Sequence, residues 1–157
     1  MILVDICDMK VSSNPNDTLA TPAIGSCIAV SVYDPTVHAG GILHFMLPLS
    51  KSDPAKAKAL PYMFADTGVP RLFQAMYELG ASKQNMLVRV IGAAEVMGDK
   101  QLFGIGRRNY LVLKKMFLKN AISIANEDVG GNFSRRLTLQ IGSGKCAVQF
   151  QGKEKEL

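Results

Sequence analysis

Three cysteines and two histidines supply the side chains best suited to nucleophilic attack and proton transfer in this sequence. Cys27 follows Gly25-Ser26 and precedes the apolar run Ile28-Ala29-Val30, so it stands where a loop enters a strand. A nucleophilic thiol needs access, a partner that stabilises the thiolate, and nearby backbone N–H groups to hold an oxyanion. The turn led by Gly25 and Ser26 can supply those donors. The competing reading is a small buried core thiol, which is what most single cysteines are. Cys7, Cys27 and Cys146 form an odd, widely spaced set that resembles neither a disulfide framework nor a paired zinc motif, so each is read singly as a thiol.

The histidines differ in setting. His38 lies in the polar turn Thr36-Val37-His38-Ala39-Gly40, whereas His44 lies inside the apolar run Gly41-Ile42-Leu43-His44-Phe45-Met46. If residues 26–33 and 40–47 pair as an antiparallel hairpin, Cys27 falls opposite a position near Met46 or His44, within one diagonal step of His44. Cross-strand neighbours on one face lie about 4.5 to 5.5 Å apart and diagonal ones about 7 to 8 Å, so a thiolate–imidazole pair is reachable. A one-residue slip in register would put the two on opposite faces, and His44 would then be an ordinary half-buried histidine. Thr21, six residues before Cys27, is near enough in sequence to reach the same site, where its hydroxyl or carbonyl can fix the imidazole tautomer.

Other chemistries find less support. Asp34, Asp66, Glu95, Asp99 and Asp128 are dispersed, without the spacing of a metal site or a glycosidase pair, and read as structural or solvent-facing. Neither Gly104-Ile105-Gly106 nor Gly142-Ser143-Gly144-Lys145 completes a phosphate-binding signature. No metal and no cofactor are expected. The net charge of +5 makes an acidic partner surface plausible. The basic residues gather at Arg107, Arg108, Lys114, Lys115 and Lys119 and again at Arg135 and Arg136, with few aromatics between them to stack on bases. They read first as a solvated helix face and second as a docking site for an acidic protein, with nucleic acid a distant third.

The elements that must position these residues follow from patterning. A length of 157 residues suits one domain, and 48% hydrophobic with 20% charged residues is the balance of a folded globular chain. Residues 26–33 and 40–47 read as strands, with Asp34-Pro35 opening the turn between them and Pro48 closing the second. Residues 54–79 are Ala- and Met-rich at helical spacing, with Pro70 expected to break or kink the helix and Gly80 to stop it. Residues 86–91 read as a buried strand, 92–106 as a loop, 107–119 as an amphipathic helix, and Ile122 with Ile124 as a short strand. Residues 135–141 are expected to pair with 145–150 across Gly142-Ser143-Gly144. The polar tail, 151–157, is expected to fray. Six or so strands and two main helices imply an α+β domain. No apolar run reaches the roughly 18 residues of a membrane helix, so a cytoplasmic location is the expectation.

Taken together, Gly25-Ser26-Cys27-Ile28-Ala29-Val30, Tyr33-Asp34-Pro35 and Gly40-Gly41-Ile42-Leu43-His44-Phe45-Met46-Leu47-Pro48 resemble CheD, the bacterial chemoreceptor glutamine deamidases. Tyr62-Met63-Phe64-Ala65-Asp66, Ile105-Gly106-Arg107-Arg108-Asn109, and Asp128-Val129-Gly130-Gly131-Asn132 through Arg135-Arg136 continue the likeness in order, over most of residues 18–150. The resemblance implies a mixed β-sandwich flanked by helices, similar to deamidases of the cytotoxic necrotizing factor type. It carries the nucleophile onto Cys27, the general base onto His44 and a third catalytic position onto Thr21. Methyl-accepting chemoreceptors are implied as substrates and the CheY-phosphate phosphatase CheC as a partner, with a monomer as the default state. The chain departs from the family pattern at Gly92-Ala93-Ala94, where Gly-Gly-Ala is usual, and loosely around Ile6-Cys7-Asp8. A non-catalytic regulator that docks on CheC or on receptors is the alternative, and a protease or transglutaminase using the same thiol–imidazole chemistry is a third reading.

Overall fold

A hairpin buried on both faces organises the molecule. In the computed structural model, which describes residues 1–95 and 104–157, β4 (Ile28–Asp34) and β5 (Ala39–Phe45) are buried at every position. Strands covered on both sides read as near-continuous apolar runs, and these two do. They occupy the middle of a five-stranded sheet in the order β2 (Asp8–Ser12), β5, β4, β6 (Leu87–Gly92) and β7 (Ile124–Val129). A second five-stranded sheet runs β1 (Ile2–Leu3), β3 (Thr18–Ala20), β8 (Arg136–Gln140), β9 (Cys146–Phe150) and β10 (Lys153–Glu156). Each sheet is mixed, because β1 lies parallel to β3 and β6 parallel to β7.

Alternation along β4 divides its side chains between two cores. Ile28, Val30 and Val32 face a helical layer, where they meet Val69, Leu72, Phe73, Met76, Leu113 and Phe117. Ala29 and Tyr33 face the other sheet, where they meet Leu19, Leu137, Leu139 and Val148. The helices are α1 (Pro54–Ala59), α2 (Ala65–Glu78) and α3 (Ile105–Lys119). The result is an α+β fold with three layers, sheet on sheet on helices.

The hairpin register is pinned at its closed end by Asp34. Its carboxylate accepts the Thr36 N–H at 2.8 Å, the Thr36 hydroxyl at 2.6 Å and, across the fold, the Ser82 N–H at 2.9 Å. Burial pushes this carboxyl up, but those hydrogen bonds, with a further one from Val37, outweigh it and hold Asp34 below the ordinary carboxylate range.

The helix expected over 54–79 is divided, and the break lies ahead of Pro70. Leu60 precedes Pro61, and the proline ring pushes the residue before it out of the helical region. A 3-10 turn at Pro61–Met63 and an extended Phe64 then separate α1 from α2. Pro70 sits in the second turn of α2, which continues through it. The tail expected to fray forms β10 instead, paired with β9 from Lys153 opposite Phe150 to Glu156 opposite Ala147. Backbone groups make that ladder, so alternating Lys and Glu side chains can remain in solvent on an edge strand. Residues 96–103 of the expected 92–106 loop lie outside the described residues. The strand expected at Ile122 and Ile124 runs from Ile124 to Val129.

Candidate active site

The register of the central hairpin decides what the sequence left open. Ala29 stands opposite His44, and Ile28 opposite Phe45. Cys27, one residue before β4, is therefore a diagonal step from His44. Parity puts them on one face: His44 alternates with Ile42 toward the inter-sheet core, and Cys27 packs against that same core. On the other flank of β5, Asp8 of β2 is opposite His44, and the His44 carbonyl accepts the Cys7 N–H at 2.8 Å.

His44 is 1% exposed. Burial holds its ring below the ordinary histidine value, against the Val4 backbone and the carboxylates of Asp5 and Asp8, which favour the protonated ring. It is thus neutral at neutral pH and able to take a proton. Neither ring nitrogen makes a hydrogen bond of good geometry to the described residues, although the Val4 backbone is near enough to act on the ring.

Thr21 belongs to the facing sheet. Its N–H donates to the Leu137 carbonyl at 2.9 Å and its hydroxyl oxygen accepts the Leu137 N–H at 3.0 Å, which extends the β3–β8 ladder by one residue. The residue before it, Ala20, accepts the Val4 N–H at 2.7 Å. Thr21 therefore sits beside the segment that reaches His44, while Cys27 and His44 come from neighbouring strands of the other sheet.

The turn carrying Cys27 is held by its carbonyls. Gly25 accepts the Ala94 N–H at 2.9 Å and Cys27 accepts the Ala93 N–H at 2.9 Å. Ser26 accepts from the Asn109 side-chain amide at 3.0 Å, and that same nitrogen donates to the Met46 carbonyl at 2.9 Å. Two glycines let these segments close on one another. Gly92 has φ +120°, and a Cβ there would lie 2.3 Å from the Cys27 carbonyl oxygen. A Cβ at Gly106 would lie 2.7 Å from the Ala93 and Ala94 carbonyl oxygens, so the start of α3 presses directly on the loop that holds the turn. The chain's Gly92-Ala93-Ala94 departure from the family pattern thus falls on the segment that grips the Cys27 turn.

Arg135 braces that segment from outside. It is 2% exposed, pairs with Asp128 at 3.1 Å and donates to the carbonyls of Gly130 at 2.8 Å and Gly92 at 3.4 Å. Its guanidinium also lies 4.3 Å from the centre of the Phe133 ring. Arg135 is a buried brace and not part of the basic surface with which the sequence grouped it.

Of the remaining candidates His38 separates from the site, while Cys7 meets it through the N–H that it gives to the His44 carbonyl. His38 is exposed at the closed end of the hairpin, with its Nδ1 3.2 Å from the Tyr33 hydroxyl. Burial and the neighbouring Asp5 raise the Cys7 thiol, and burial raises that of Cys146, which has no exposed surface. Among the described residues no group of three or more His, Cys, Asp or Glu is placed to hold a metal ion. No described helix is long and apolar enough to cross a membrane.

Sequence reasoning named Asn109 only within a family landmark and Arg135 only there and in a basic cluster, without their roles, and it passed over Val4 and the strand β2. Asn109 carried a signal, a polar residue at an inward position of an otherwise apolar helix face. Val4 acts through its backbone, and the Asp8 carboxylate reaches His44 through the β2–β5 register, neither of which a single sequence displays.

A thiol and a neutral imidazole on one face at the open end of a buried hairpin form the kind of site that hydrolases with a cysteine nucleophile use. Comparison with known proteins gives that class a family. A family model described as CheD chemotactic sensory transduction matches residues 46–150, and the chain belongs to the CheD family. The chain is 50% identical over 151 residues to a probable chemoreceptor glutamine deamidase, CheD 1, of Syntrophus aciditrophicus, a match that covers 96% of this chain and 94% of the relative. It is 46% identical to the protein of the same description from Solibacter usitatus over 99% of this chain and 92% of that one. A third, from Syntrophotalea carbinolica, is 38% identical over 97% and 95%. Thr21, Cys27 and His44 precede the stretch that the family model matches, and the three relatives cover nearly all of the chain.

Proposed function

We propose that this protein hydrolyses the side-chain amide of chemoreceptor glutamines to glutamate, with Cys27 as nucleophile and His44 as base. The names of its relatives supply the substrate. The observation that carries the assignment of residues is the register that puts Cys27 one diagonal step from a buried, neutral His44 on the same face.

In this reading His44 takes the Cys27 proton, and the thiolate attacks the carboxamide carbon. The tetrahedral oxyanion is held by backbone N–H groups of the turn at Ser26 and Cys27, which Gly25 leads. Collapse breaks the C–N bond, and the proton on His44 leaves with the departing ammonia. A water then gives a proton to His44 and adds its oxygen to the thioester carbonyl, and the C–S bond breaks to release carboxylate and restore the thiol. One water is consumed and one ammonia released for each glutamine. No cofactor or metal enters these steps. Thr21 has one oxygen lone pair engaged by the Leu137 N–H. The other can accept an imidazole N–H, which leaves the opposite ring nitrogen facing the thiol. Docking of the CheC phosphatase belongs to the same reading and rests on the family, while the cytoplasmic location and the monomeric state are the defaults for a chain of this size without a long apolar run.

Ammonia release from a purified chemoreceptor cytoplasmic fragment tests it. The wild-type protein is expected to release ammonia in step with glutamate formation, and Cys27→Ala and His44→Gln to release none above background. Undiminished release by Cys27→Ala would remove the thiol from the mechanism, and receptor binding without release by the wild type would make the protein a docking regulator.

A further inference from the structure

Beyond the last registered pair of the central hairpin, Ile28 with Phe45, the ladder stops. The Met46 N–H turns away to the Met63 carbonyl at 2.9 Å. The carbonyls of Ser26 and Met46 are left at the open end of the hairpin, flanking Cys27 on one strand and lying two residues past His44 on the other. Both are taken up by one nitrogen, Nδ2 of Asn109, at 3.0 and 2.9 Å.

Asn109 is fully buried on the inward face of α3, in line with Gly106, Leu113 and Phe117. Leu113 and Phe117 pack in the core on the helical side of the sheet, together with Ile28 and Phe45. Cys27 and His44 face the other side. Asn109 therefore reaches the Cys27 turn from the helical side of the sheet, through the carbonyls of Ser26 and Met46. A polar side chain among apolar neighbours is costly to bury, and here its own Oδ1 has no hydrogen-bond partner among the described residues. An apolar residue would suit this helix face better. What the asparagine adds is two hydrogen bonds to two particular carbonyls.

We propose that Asn109 is a positioning residue, which fixes the plane of the peptide joining Ser26 to Cys27 and the spacing between the Cys27 turn and the His44 strand. The described backbone has no cis peptide bond. In a trans peptide the C=O and the following N–H point in opposite directions. Drawing the Ser26 carbonyl toward α3 consequently turns the Cys27 N–H away from α3, and in this proposal that N–H is one of those that hold the oxyanion. Binding the Met46 carbonyl with the same nitrogen ties the two strand ends together just where ladder hydrogen bonds no longer do so.

The proposal rests on the deamidase reading for its catalytic consequence, and two measurements keep the two apart. In Asn109→Leu, of similar volume but without donors, kcat on a receptor cytoplasmic fragment is expected to fall at least about ten-fold with KM within about two-fold. The rate at which iodoacetamide alkylates Cys27, read without substrate across a pH series, is expected to shift by at least about three-fold at neutral pH. Asn109→Ser, smaller and open to water, should show both effects. Leu113→Ala, one turn along the same buried face, serves as the packing control and should lower the melting temperature at least as far while changing neither readout.

Unchanged kcat and alkylation in folded Asn109 variants would overturn the proposal. So would an equal loss in Leu113→Ala, or failure of both Asn109 variants to fold, since each would make Asn109 a packing residue only. If the wild-type protein deamidates nothing, the functional reading fails by itself, and the alkylation profile alone decides the role of Asn109.

Discussion

In the proposed mechanism His44 serves as a base because burial keeps it neutral, and the same burial makes the fold sensitive to acid. Its folded-state value is lowered. As pH falls through the ordinary histidine value of about 6.5, the unfolded chain takes up the proton first, and stability is lost progressively below that point. A series of urea midpoints should decline from about pH 6.5 downward, and His44→Leu should flatten that decline. An unaltered slope in the variant would assign the acid sensitivity to other groups. Asp34, also lowered, adds its loss only below about pH 3.9, in a separate window. Cys27 should react with iodoacetamide at least about ten-fold faster than Cys7, whose thiol burial and Asp5 hold protonated, and faster still than the enclosed Cys146. Peptide mass spectrometry after timed quenching reads all three, and equal rates at Cys27 and Cys7 would argue against an activated thiolate. Thr21→Val removes the hydroxyl and leaves the Leu137 N–H without its acceptor. It is expected to cost about 1 to 3 kcal/mol of stability and to lower kcat at least ten-fold, roughly, whereas Thr21→Ser should retain most of both.

At the scale of elements, the site is the open end of one hairpin, and its geometry is set by what grips that hairpin at each end. Asp34 holds the closed end, and Asp34→Ala would strand the donors of Thr36 and Ser82. A loss of about 2 to 4 kcal/mol in urea unfolding is expected. At the other end Gly92→Ala would set a Cβ against the Cys27 carbonyl at a positive φ. It is expected to lower both stability, by about 2 kcal/mol or more, and kcat, and full activity in that variant would show that the loop does not set the turn. Much of this hairpin was legible in the sequence, because doubly buried strands announce themselves as apolar runs and Asp34-Pro35 as a turn. Cys27 and His44 were legible as residue types out of place, one after a glycine-led turn and one inside an apolar strand. The shared face was not, since a slip of a single residue reverses it and register is written in the pairing. The first strands were missed because β1 and β3 are short, and β2 mixes Asp, Lys and Ser with its apolar residues. The C-terminal strand was missed because a charged edge strand looks like a solvated tail.

For the whole molecule, the layering puts a basic helix, α3, on the side of the hairpin sheet opposite the inter-sheet core that Cys27 and His44 face. Arg107, Arg108, Lys115 and Lys119 of α3 are exposed, while Arg135 is withdrawn into its ion pair with Asp128. With a net charge of +5, this face can steer an acidic receptor surface toward the site. Raising salt from about 50 to about 500 mM should then raise KM several-fold with little change in kcat, and Lys115→Glu with Lys119→Glu should reproduce the effect at low salt. Indifference to both would leave the basic face as a solvated helix surface. The most direct test of the central claim is mass spectrometry of a purified chemoreceptor cytoplasmic fragment after incubation with the wild-type protein and, in parallel, with Cys27→Ala. A gain of about one mass unit at particular glutamines with the wild type, and none with the variant, is the predicted result. The same gain at the same glutamines with Cys27→Ala would contradict it.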